Sequence, residues 1–146
     1  MHEPSAYTIR RAVESDQPVI CRLVRSECLN PRDVHWQNFL VVENGSRIIG
    51  IGQIRLHGAV KELGSLVVLP EYRGQGVASA LIAALEAQAG YPLYLMCAND
   101  KVAYYQRFGY AVLDDMDIPT AIIPRRMLWM ARRLLRSRFA VMLKTA

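Results

Sequence analysis

Leu66-Val67-Val68-Leu69-Pro70-Glu71-Tyr72-Arg73-Gly74-Gln75-Gly76-Val77-Ala78-Ser79 is the stretch from which the fold can be read. An apolar, β-branched run meets a proline, a polar segment follows with glycine at 74 and 76, and an alanine-rich helical pattern runs from Gly76 to Ala89. A strand that enters a helix through a glycine turn gathers unpaired N–H groups at the positive end of the helix dipole, and such a turn binds phosphate. Gly74 and Gly76 let the backbone approach an anion without a Cβ in the way, and Ala78 keeps the first helical turn slim. Arg73 adds a positive charge beside them. The loop is neither of two familiar phosphate binders: the P-loop needs a Gly-Lys-Ser/Thr ending, and the dinucleotide motif needs a third glycine where Ser79 stands.

Working outward, Lys61 to Leu69 reads as the strand before the loop, and Phe39 to Glu43 and Arg47 to His57 as a hairpin around Asn44-Gly45-Ser46. Tyr7 to Arg11 alternates as a short strand, and Ser15-Asp16-Gln17-Pro18 offers capping groups for a helix to about Asn30. Downstream, Leu93 to Cys97 predicts a strand, Lys101 to Phe108 a short helix stopped by Gly109, and Tyr110 the start of another strand. Pro124 to Arg138 has apolar residues at helical spacing opposite six arginines, and Phe139 to Leu143 predicts a final strand. The order β-α-β-β-β-α-β-α-β-α-β, with no internal repeat or linker, predicts a single domain over 1–146 of the α/β (α+β) class.

Composition narrows the function classes. With 146 residues and 52% hydrophobic content the chain can bury a core without disulfides or metal. Its apolar stretches fall far short of the ~20 residues that cross a bilayer. The first five residues lack the basic start and apolar run of a secretory signal, which predicts a cytoplasmic protein. Cys21, Cys28 and Cys97 form no metal-ligand spacing with one another or with histidine, so no metal is expected and the thiols read as buried small side chains. A net charge of +5 suits an anionic partner without choosing among nucleotide, nucleic acid and membrane surface.

The loop resembles the pyrophosphate loop of the GNAT superfamily of acyl-CoA N-acyltransferases, Arg/Gln-x-x-Gly-x-Gly/Ala, with Arg73, Gly76 and Ala78 in register. The preceding Leu66 to Pro70 looks like the family's cofactor strand. A second segment, with Asn99, Ala103, Tyr104, Tyr105, Gly109 and Tyr110, is similar to the family's Asn, Ala, aromatic pair and Gly-aromatic pattern. The resemblance covers about Tyr7 to Leu113 in element order. It implies a mixed central sheet of about seven strands with about four helices, and acetyl-CoA as co-substrate at Val67, Val68, Arg73, Gly74, Gln75, Gly76, Val77, Ala78 and Ser79, with Asn99 on the pantetheine arm.

The same resemblance implies direct transfer to a primary amine in a ternary complex. An alkylamine with an ordinary pKa near ~10 must lose a proton before attack, and Glu62 matches a position from which some family members draw a catalytic base, acting directly or through water. The amide of Val68 is implied as the oxyanion donor, a type of contact worth ~3 kcal/mol in barrier. Tyr105 matches the tyrosine that serves the departing thiolate, and Tyr104 is expected to pack inward. Cys97 need not form an acyl-enzyme.

The acceptor is implied to be a small-molecule, amino-acid, peptide or protein amine, with Asn30 to Asn38, His35, Trp36, Gln53 and His57 as candidate contacts. Residues 124–138 read as cover for the sheet and are also open to a role in the acceptor pocket or a homodimer contact. Nucleic acid is not expected as a partner, because aromatic interleaving typical of RNA readers is missing. Two other classes stay open from sequence: a non-catalytic acyl-CoA-binding regulator, and a basic nucleic-acid or membrane-surface binder built on 124–138.

Overall fold

The computed structural model describes residues 6–123 and 139–146. Seven strands form one mixed sheet: β1 (Thr8–Arg11), β2 (Phe39–Asn44), β3 (Arg47–His57), β4 (Val60–Val68), β5 (Leu93–Ala98), β6 (Ala111–Val112) and β7 (Phe139–Lys144), in the order β1-β2-β3-β4-β5-β7-β6. Three α-helices are described: α1 (Gln17–Ser26), α2 (Val77–Ala89) and α3 (Val102–Gln106). The expected fourth helix, Pro124 to Arg138, lies outside the described residues. The chain divides into two compact units, 1–54 with 64–88, and 55–63 with 89–146, so that β3 and β4 each contribute to both.

In the first unit β1, β2 and β3 pair antiparallel, with Ile9 opposite Val42 and Val41 opposite Ile51. Helix α1 is amphipathic and lays Ile20, Leu23 and Val24 on a cluster with Phe39, Val41, Ile51 and Val67, all nearly removed from water. Asp16, expected to cap α1, makes no side-chain cap bond; it accepts from Arg10 Nη1 at 2.8 Å and from the Val13 amide at 2.8 Å. Helix α2 buries Val77, Leu81, Ile82 and Leu85. A Cβ on Gly52 would come within 2.8 Å of Leu85 and 3.6 Å of Leu81, so the missing side chain on β3 is what lets α2 lie this close.

In the second unit β5 alternates buried Leu93, Leu95 and Cys97 with half-buried Tyr94, Met96 and Ala98, the period-two pattern of a strand. It pairs antiparallel with β7 from Leu93–Lys144 to Ala98–Phe139, and parallel with β4 through Glu62–Tyr94 and Leu63–Leu95. Short β6 adds to β7 through Ala111–Leu143 and Val112–Met142.

Candidate active site

The glycine loop lies in the first unit. β4 ends at Val68, Pro70–Tyr72 form a single 3-10 turn, and α2 begins at Val77 with the Ala80 amide bonded to the Gly76 carbonyl at 3.0 Å. Gly74 and Gly76 take φ of 75° and 82°, a left-handed backbone that disfavours any side chain. A Cβ placed on either would meet nothing within 4 Å, so the space in front of the loop is open. As the first amides of an α-helix, Val77, Ala78 and Ser79 have no intrahelical acceptor, and they offer donors at the positive end of α2. An open glycine turn at a helix start fits a diphosphate.

Arg73 is tied into the fold by two contacts. Its Nε donates to the Val68 carbonyl at 2.9 Å and its Nη2 to Glu27, just past the end of α1, at 2.8 Å. The guanidinium therefore pins the end of β4 to α1 beside the loop. The next peptide unit is also fixed, because the Leu69 amide bonds to the Ile49 carbonyl at 2.9 Å. Val67 and Val68 are themselves buried. Gln75 donates from Nε2 to the Glu71 carbonyl at 3.1 Å, and Glu71 pairs with Arg47 at 2.8 Å. The backbone amide of Glu71 and then Arg47 hold that carboxyl below its usual range.

Just before this segment, Ser65 sits inside β4 with φ 52°, and its buried Oγ accepts from Gln53 Nε2 at 2.8 Å. Gln53, a candidate acceptor contact from sequence, is fully buried and serves the strand instead. Trp36 likewise packs against the α1 cluster.

Glu62, Asn99 and Tyr105 belong to the second unit. Glu62 is buried, and both of its oxygens are engaged: Oε1 with Arg55 Nη1 at 3.1 Å and Oε2 with His57 Nε2 at 3.0 Å. Asn99 opens the 3-10 turn that leads into α3. Tyr105 stands on α3 with its ring edge-on to Tyr104 at 5.1 Å and to Tyr110 at 6.4 Å. Its hydroxyl has no hydrogen-bond partner among the described residues. Burial pushes this phenol well above the usual range, with Cys97 and Tyr104 adding to the shift, so the group stays protonated and can serve as a hydrogen-bond donor. Tyr104, expected to pack inward, is half-buried between Tyr105 and Phe108 with Arg107 over its ring.

The cysteines differ from one another. Cys97 is buried, bonds to Met142 Sδ at 3.7 Å, and has its thiol pushed up to about 11 by burial and then by Asp100. A thiol so held is a poor nucleophile at neutral pH. Cys28 is exposed, contrary to the expectation that all three are buried, and Cys21 is half-buried. Among the described residues no group of His, Cys, Asp and Glu could hold a metal ion, and no helix is long and apolar enough to cross a membrane.

Arg55 went unnoticed in the sequence, and the pairing of His57 with Glu62 was not foreseen. The signal was available: counting outward from a two-residue turn at Gly58-Ala59 sets 57 against 60 and 55 against 62.

A family model described as an acetyltransferase (GNAT) domain matches residues 35–112, a little over half of the 146. An uncharacterised N-acetyltransferase of Bacillus subtilis, YjcF, is 30% identical over 89 residues, which covers 58% of this chain and 64% of that protein, short of two thirds of its length. The fold is similar to N-acetylglutamate synthase of Neisseria gonorrhoeae, solved with coenzyme A and N-acetyl-glutamate, at TM-score 0.77 and 18% identity over 98% of this chain and 36% of that one. It is also similar to Rv2747 of Mycobacterium tuberculosis, solved in complex with CoA, at TM-score 0.76 and 16% identity over 95% and 99% of the two chains. The strand, glycine loop and helix fall inside the matched span, which covers more than half of the chain: this chain belongs to the GNAT acetyltransferase family.

Proposed function

We propose that the protein is an N-acetyltransferase that passes the acetyl group of acetyl-CoA to a primary amine by direct attack in a ternary complex. The observation that carries this reading is the open cradle of Gly74 and Gly76 at the start of α2. The amides of Val77, Ala78 and Ser79, with Gly74, Gln75 and Gly76, hold the diphosphate, and Asn99 holds the pantetheine arm. Arg73 keeps the cradle in shape through the Val68 carbonyl and Glu27.

Glu62, directly or through an intervening group, serves the removal of the acceptor's proton, and the Val68 amide receives the developing oxyanion, a contact worth ~3 kcal/mol. Tyr105 donates its hydrogen to the leaving sulfur and takes up a proton shed by the attacking nitrogen; burial keeps the phenol protonated, and its hydroxyl has no hydrogen-bond partner among the described residues, so the donor is available. Cys97, a neutral buried thiol, takes no covalent part. A thiol-release assay with acetyl-CoA and a panel of free amino acids, polyamines and short peptides tests the reading. Amine-dependent release with a mass gain of one acetyl group on the acceptor is expected. No release with any amine class would overturn it.

A further inference from the structure

Glu62 cannot easily meet an acceptor by itself. It is 8% exposed, and each carboxylate oxygen already faces a donor, Arg55 on one side and His57 on the other. A proton added to either oxygen would set a hydroxyl against those donors. His57 is the most exposed member of the cluster, with 23% of its side chain accessible against 9% for Arg55 and 10% for Glu62. It shares one face of β3 with Arg55, two residues away. The groups around it are Arg55 from its own strand and Glu62 from β4, with Tyr94 of β5 opposite Glu62 and Lys61 turned to the Ala89 carbonyl.

From this geometry we propose that His57 is the base that takes the acceptor's proton, and that Glu62, anchored by Arg55, is its positioning residue. The proposal rests on the acetyl-transfer reading above and refines it. A carboxylate only accepts, so His57 Nε2 carries the hydrogen shared with Oε2, which leaves the lone pair on Nδ1. Nδ1 has no partner among the described residues. Imidazole is the side chain whose ordinary titration range lies nearest neutrality, which suits it to accept and release a proton in each cycle.

The ammonium gives one proton to Nδ1; the freed nitrogen forms the C–N bond to the acetyl carbon; the C–S bond breaks. Tyr105 gives its hydrogen to the departing sulfur and is reset by the second proton shed from nitrogen, while the imidazolium returns its proton to solvent.

His57→Gln tests this, because the new amide can still donate to Glu62 from the place of Nε2 but has no basic nitrogen. The whole chain is assayed with acetyl-CoA and L-glutamate, spermidine and a short peptide with a free N-terminus. The expected result is unchanged acetyl-CoA binding and unfolding midpoint, with kcat lower by about 100-fold or more at neutral pH. That deficit should shrink as pH rises toward about 10, where the amine is neutral in solution. A wild-type rate, or a deficit independent of pH, would reduce His57 to a strut and overturn the proposal. Should this variant not fold, His57→Ala with added imidazole replaces it: recovery of rate supports the base, and none refutes it. If the unsubstituted protein acetylates none of the three amines, the acetyl-transfer reading fails first and takes this proposal with it.

Discussion

Ser65 offers the sharpest test of how β4 is built. Its backbone is left-handed at φ 52° inside a strand, and its buried hydroxyl accepts from the fully buried Gln53 at 2.8 Å. Ser65→Ala keeps the strained backbone and removes this acceptor from a buried donor, at a cost of about 1–3 kcal/mol. Ser65→Gly removes the same acceptor but relieves a left-handed penalty of about 1–2 kcal/mol, against an entropic loss of about 0.5–1 kcal/mol for glycine. From the middle of each range, the glycine variant should therefore be the more stable of the two by about 0.7 kcal/mol. In urea, with a slope of about 2 kcal/mol per molar, that is a midpoint difference of a few tenths molar. Equilibrium unfolding followed by tryptophan fluorescence reads it directly. A glycine midpoint equal to or below that of alanine would refute the reasoning, because the backbone at 65 would then carry no strain that glycine can relieve.

Other expectations follow from the protonation states. At pH 8, iodoacetamide should label exposed Cys28 and spare Cys97, whose thiol is pushed up to about 11; peptide mass spectrometry checks the order. Tyr105→Phe should lower kcat by about 100-fold, and because burial raises the phenol, the wild-type rate should show no loss from its ionisation up to about pH 9, as a pH–rate profile would reveal. Arg10, through its hydrogen bond, holds the Asp16 carboxyl below its unfolded value of about 3.9. Its contribution to stability is thus full above about pH 4 and lost as pH falls through the folded value. Asp16→Asn should accordingly destabilise at pH 7 and matter less near pH 3, by urea midpoints at the two pH values.

The cradle was legible in sequence because its chemistry is local: glycines with positive φ and a helix start need only neighbouring residues. The strands were legible for the same reason, since β-branched runs bounded by Asn44-Gly45 or Pro70 encode them in a few positions. What stayed hidden depends on partners distant in the chain. The tie between Arg73 and Glu27 was not legible, because nothing near Arg73 announces a partner 46 positions away. Gln53 looked like a substrate contact because a buried amide and a surface amide read alike until Ser65 is seen against it. Glu62 was identified as a carboxylate of interest, but its burial between Arg55 and His57 is a property of the hairpin, visible only once the strands are paired. Tyr105 could be chosen by resemblance, whereas the burial that raises its proton affinity comes from packing among Tyr104, Tyr110 and Cys97.

Whether the glycine turn before α2 holds acetyl-CoA is decided by calorimetric titration of the protein with acetyl-CoA, beside Gly76→Glu. The glutamate would put bulk and negative charge into the open space at φ 82°. Saturable one-site binding to the unsubstituted protein and none to the variant is expected, with circular dichroism showing that both are folded. Equal binding by the two, or no binding by the unsubstituted protein, would contradict it.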